Sequence, residues 1–311
     1  MHLINEASPH FHGKGSTQWI MGMVCLSLLP TVVASLVLYG PGAPLLVLVC
    51  IATALVCEHL CCIIMHREST AGDLSCVVTA MLFAFTLPAT CSYFAAMLGT
   101  AFAVVVVKML FGGIGCNFAN PAVAGRVFVM LALPSALTAY PDVVGKPLDA
   151  ITGATPLALS AADGAMPYSY LQLLLGDHAG ALGETCVITL LIGYVFLLVM
   201  RVVDAWATLP FIGTVAVVTG IAGQDVIAQL LSGGLALGAF YMATDYTTTP
   251  MTARGKIIFG IGCGLITGLV RVFAAAPEGV AFSILFMNLF VPLIDRYTRP
   301  QPAGGVKHAL V

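Results

Sequence analysis

Ten apolar runs follow one another along this chain, and most are long enough to cross the hydrocarbon of a bilayer as single helices. They run from Trp19 to Tyr39, Pro44 to Met65, Asp73 to Leu87, Ser92 to Phe111, Asn120 to Leu133, Ala181 to Met200, Thr208 to Ile221, Val226 to Ala243, Lys256 to Ala276 and Val280 to Ile294. A water-soluble globule could not cover them. Only 8% of the 311 residues are charged and 59% are hydrophobic, whereas ordinary globular chains are about one quarter charged. The chain therefore reads as an all-α polytopic membrane protein with about ten transmembrane helices. The third, fifth, seventh and tenth runs fall short of the roughly 17 to 25 residues a lone crossing needs, so helices there are expected to be tilted, broken or shielded. Two inverted five-helix halves, 19–133 and 181–296, fit this pattern around a polar segment, 134–180, with tails at 1–18 and 297–311.

Charge placement gives an orientation. With the N-terminus in the cytoplasm, nine cations fall inside: Lys14, Arg67, Lys108, Arg201, Arg254, Lys256, Arg296, Arg299 and Lys307; only Lys146 falls outside. Both termini are then expected to be cytoplasmic, with 134–180 on the outer face of the cell inner membrane. No small-residue cleavage site follows the first run at the usual distance, so that helix is expected to stay. A net charge of −2 without a dense basic stretch argues against nucleic acid as a partner. The ten cysteines lie nearly all within apolar runs and form no CxxC pair. In Cys57-Glu58-His59-Cys61-Cys62, one-turn spacing inside an apolar run reads as a packed helix face rather than a metal site.

Three groups of residues could carry chemistry. In Asp149-Ala150-Ile151-Thr152-Gly153-Ala154-Thr155-Pro156, a small-residue turn presents the Thr155 hydroxyl, with Gly153 allowing close approach and Pro156 biasing Thr155 away from helix. It is a phosphoryl acceptor or a surface turn. In Gly112-Gly113-Ile114-Gly115-Cys116-Asn117-Phe118-Ala119-Asn120-Pro121, and at Asp245 with Thr247 to Thr249, glycine and polar side chains would either approach a ligand or cap helix ends. Glu58, Arg126 and Arg271 lie inside apolar runs, where an ionisable group serves an ion path, forms a charge pair or snorkels to the interface.

The string Asp149 to Thr155 matches D-x-x-[ST]-G-A-T, the motif that a flavin transferase modifies by joining flavin mononucleotide (FMN) to threonine through a phosphoester. Together with Gly112 to Ala122, Phe240-Tyr241-Met242-Ala243-Thr244-Asp245, Pro277-Glu278-Gly279 and Pro292-Leu293-Ile294-Asp295-Arg296, it makes the chain resemble the D subunits of Rnf electron-transport complexes from Trp19 to Pro300. It is more distantly similar to the B subunit of the sodium-pumping NADH:quinone oxidoreductase. The resemblance implies covalent FMN on Thr155, with Asp149, Thr152, Gly153 and Ala154 as recognition elements. It also implies a second, noncovalent flavin, riboflavin, near Gly113, Asn117, Asn120 and Asp245. The expected role is electron relay within an oxidoreductase that couples ferredoxin and NAD to sodium or proton movement, with A, B, C, E and G subunits, the transferase and the lipid bilayer as partners. A secondary transporter or channel for a small polar solute is the reading from another class.

Overall fold

A backbone in hydrocarbon has no water to satisfy its N–H and C=O groups, so apolar runs fold as helices that satisfy their own. The computed structural model describes residues 16–67, 70–140, 155–163, 168–274 and 278–300, and every regular element among them is helical. Among the described residues four helices are long and apolar enough to cross a membrane: α1 (Thr17–Tyr39), α2 (Gly42–Ile64), α12 (Ala253–Phe273) and α13 (Val280–Thr298). Shorter apolar helices pack among them: α3 (Ser75–Phe85), α4 (Tyr93–Ala101, continuing as a π-helix Phe102–Met109), α5 (Pro121–Ala132), α8 (Val187–Val199) and α9 (Thr208–Ile221). Between α5 and α8 lie α6 (Pro156–Asp163) and α7 (Tyr170–Leu175); α10 (Val226–Leu231) and α11 (Leu235–Leu237, continuing as a π-helix Gly238–Met242) precede α12. Val37, Ile64, Val199, Leu209, Ile221 and Phe273 point outward, an apolar surface that suits lipid.

Three runs differ from the sequence expectation. The tenth, expected to be short, is a full-length helix because its pattern continues through Asp295 to Thr298, where Asp295 accepts the Met251 N–H at 3.0 Å. The sixth, expected to cross from Ala181, becomes helical only at Val187. Its first residues instead close the end of α3: Leu182 N–H donates to Leu87 O at 2.9 Å and Gly183 N–H to Phe85 O at 2.8 Å. A Cβ on Gly183 would fall 2.5 Å from Phe85 Cβ, so only glycine allows this approach. The eighth run breaks at Ser232 to Gly234, where Gly233 takes a φ of 67°.

Helix pairings of the first half recur in the second. Helix α2 packs on α3 and α4, and α4 on α5; likewise α9 packs on α10 and α12, and α12 on α13. The end of α1 meets the segment leading into α8, with Tyr39 OH donating to Gly180 O at 3.1 Å, so these two helices run antiparallel. The cross-contact of α5 with α13 closes the bundle.

Candidate functional site

Two cavities lie on either side of α11, one lined by Tyr241 and the other by Met242. The first, about 80 Å³, gathers Ser75, Lys108, Asn117, Asn120, Tyr241 and Asp245 among apolar walls that include Val78 and Leu82. Asn117, Asn120 and Asp245 are thus brought together, whereas Gly113, with a φ of 96°, turns the chain nearby without lining the space. Asn120 is committed to structure. Its Oδ1 caps α5 by accepting the N–H groups of Ala122 and Val123 at 3.0 and 3.3 Å, while its Nδ2 donates to Met242 O at 3.3 Å. Asp245 accepts from the hydroxyls of Thr247 and Thr248 at 2.9 and 3.1 Å. Burial pushes its carboxyl above the ordinary aspartate range, and these donors pull it back. Asn117 Oδ1 is buried with no partner among the described residues, which leaves it an acceptor site for a ligand donor.

Glu58 and Lys108 form the deepest ion pair. Lys108 Nζ lies 3.0 Å from Glu58 Oε2, with the side chains 3% and 0% exposed. The same ammonium donates to Ser75 Oγ at 2.6 Å, and Ser75 passes a hydrogen bond to Asp73. Thr70 donates its hydroxyl to the other oxygen of Glu58. Glu58 is therefore a charge-pair member, and Lys108 is no loop cation as the orientation count supposed: the π-helical continuation of α4 carries it into the bundle. A lone lysine inside an apolar run was the available signal.

The second cavity, about 30 Å³, lies beside α6, the helix that follows Thr155. Thr155 is half-buried; its Oγ1 accepts the Ala158 N–H at 3.4 Å at the start of α6. Leu157, the second residue of α6, is buried and inserts against Gly233, which Arg271 also approaches. Asp149, Thr152, Gly153 and Ala154 lie outside the described residues. Around Leu157 stand Arg126, Arg271, Glu184 and Glu278. Neither arginine snorkels. Arg126 donates to the Thr86 carbonyl, which α3 leaves uncapped, to Glu278 Oε2 at 2.8 Å and to Tyr140 OH at 3.3 Å. Arg271 donates to the Gln229 carbonyl and, at 3.0 Å, to Ser232 O, closing the broken end of α10. Glu184 escaped the sequence reading and Glu278 entered it only within the string Pro277-Glu278-Gly279, although each adjoins a glycine next to an apolar run.

A family model described as "NQR2, RnfD, RnfE family" matches residues 4–304. The chain belongs to the NQR2, RnfD, RnfE family. Within the family, it is 39% identical over 312 residues to the D subunit of the Na(+)-translocating ferredoxin:NAD(+) oxidoreductase complex of Acetobacterium woodii, covering 99% of this chain and 97% of that protein. It is 34% identical to the D subunit of the proton-translocating ferredoxin:NAD(+) oxidoreductase complex of Clostridium ljungdahlii, over 96% of this chain and 95% of the relative. The D subunit of an ion-translocating oxidoreductase complex of Stutzerimonas stutzeri is likewise 34% identical, over 94% and 93%. As a member of this family, the chain is a multi-pass membrane protein.

Proposed function

We propose that the chain is the D subunit of an Rnf-type complex, a membrane electron-relay subunit of an ion-translocating oxidoreductase, with FMN esterified to Thr155. Near full-length similarity to D subunits carries the assignment of the complex. The observation that carries the flavin is the position of Thr155: a half-buried hydroxyl at a helix start, after the string Asp149 to Ala154. The positive end of the α6 backbone dipoles at such a start favours a phosphate. The threonine oxygen would hold the phosphoryl end, and Leu157, seated against Gly233, would fix α6 and with it the tether. When bound, FMN supplies one- and two-electron chemistry that no side chain here provides.

A second, noncovalent flavin, riboflavin, would reach only in part into the cavity between Lys108 and Tyr241, which at about 80 Å³ is smaller than a whole flavin but offers Asn117 Oδ1 and the Lys108 ammonium as polar groups on apolar walls. With Lys108 buried, the cation count behind the orientation becomes eight against one and still favours cytoplasmic termini with Thr155 outside the inner membrane. The A, B, C, E and G subunits and a flavin transferase are the partners this reading requires. The covalent link is tested on a gel: denatured, washed chain from cells that contain the transferase fluoresces under ultraviolet light, and Thr155→Ala is dark. A dark wild-type band sinks the assignment.

A further inference from the structure

Inside the bundle, Glu58 is paired with Lys108 and Thr70, Glu278 receives Arg126 and Tyr140, and Asp245 receives Thr247 and Thr248. Glu184 differs. It is 7% exposed, and no side chain among the described residues donates a hydrogen bond to its carboxylate. Its Oε1 lies against Gly234 at the break between α10 and α11, where a Cβ would fall 2.8 Å from it. The charged and titratable groups facing it are Arg126 from α5, Arg271 from α12, Glu278 ahead of α13, Tyr39 from α1 and Tyr140. Both guanidiniums direct their hydrogen bonds elsewhere: Arg126 to Glu278 and Thr86, Arg271 to the carbonyls of Gln229 and Ser232. Among the described residues neither forms an ion pair with Glu184. A buried carboxylate held by one backbone N–H, that of Ala181, with no side-chain donor and both guanidiniums at a distance, takes up a proton rather than pay the desolvation cost. The remaining field of two arginines keeps that proton removable.

We propose that Glu184 is a proton-carrying site, which loads and unloads through the cavity it lines. That cavity, about 30 Å³, has room for about two waters, enough to pass a proton between the carboxyl and the Thr155 side of the bundle. The site goes beyond the flavin reading and does not depend on it. It is a candidate for the point where this chain meets the coupling ion, and two close relatives are named for different ions, one sodium and one the proton.

A hydrophobic carbodiimide tests the site in the assembled complex in lipid. Dicyclohexylcarbodiimide adds a protonated carboxyl across its C=N bond to give an O-acylisourea, which rearranges to a stable N-acylurea with no leaving group. Peptide mass spectrometry is expected to find the adduct on Glu184 and not on Glu58. Its yield falls by about tenfold per pH unit above the midpoint and is indifferent to sodium chloride at fixed pH. Glu184→Gln removes that adduct, but the wild-type measurement stands by itself if the variant fails to assemble. An unmodified Glu184, or a yield flat with pH, overturns the proposal. Protection by sodium at constant pH also overturns it, because the occupant would then be a metal cation. Flavin fluorescence plays no part in this readout, so failure here leaves the Thr155 assignment standing.

Discussion

Replacing Lys108 by methionine keeps all but the last atom of the side chain's length and removes its charge, which isolates what the deepest ion pair among the described residues contributes. At the observed 3.0 Å, attraction between unit charges is about 5.5 kcal/mol for an effective dielectric of about 20. Much of it is offset by the cost of taking both groups out of water. Removing one partner is different. Glu58 is fully buried and would keep only the neutral Thr70 hydroxyl and Cys76 thiol, so Lys108→Met is expected to destabilise the fold by about 3–5 kcal/mol, the usual cost of leaving one buried charge uncompensated. Glu58→Gln should cost a similar amount, since the ammonium would keep only neutral acceptors, Ser75 and the new amide oxygen. The double variant should cost less than the two singles together, with a coupling of at least about 2 kcal/mol. Unfolding free energies of the four proteins in lipid bicelles measure this cycle. A Lys108→Met cost below about 1 kcal/mol, or strict additivity, would refute the view that the pair is held as ions in a dry interior.

His178 is buried in the turn before α8, its Nδ1 3.2 Å from Ala179 O and its Nε2 without a partner among the described residues. Burial holds its pKa below the usual histidine value. The unfolded chain then binds the proton first, so stability present above about pH 6.5 is lost as pH falls through that value toward the folded pKa. Thermal denaturation between about pH 7 and about pH 5 should show this slope, and His178→Gln should flatten it; an unchanged slope excludes His178 as its source. Sidedness has its own assay: a single cysteine placed beside Lys146 should react with an impermeant thiol reagent in cells whose inner membrane is closed. Labelling only after that membrane is opened reverses the orientation.

The long crossings were legible because nothing competes with hydrophobic length in setting a lipid-exposed helix, as in α1 and α2. Thr155, Asn117, Asn120 and Asp245 stood out because each is a polar or hydroxyl group beside proline or other polar residues or, for Asn117, just after a run of glycines, where regular structure must stop. What escaped notice depends on contacts between distant segments. The run from Ala181 has the composition of a helix, yet its first residues serve α3, a backbone pairing between segments far apart in the chain that periodicity does not encode. Lys108 could be counted as a loop cation because one lysine at the end of an apolar run looks the same whether it turns to water or to Glu58. The break at Ser232 to Gly234 was marked by two glycines, but only the arriving Arg271 side chain explains why the exposed carbonyls tolerate it.

The hydrogen bonds from Leu182 and Gly183 to the carbonyls beyond α3 carry a consequence for biogenesis. A ribosome that has delivered only α1 to α5 has inserted helices whose interior still holds bare acceptors at Phe85 and Leu87, in a medium with nothing to offer them. The amino-terminal part of the protein cannot finish folding until a stretch made much later is threaded back into it. Two fragments severed between α5 and α6 should therefore have to be co-produced to give either one a settled form.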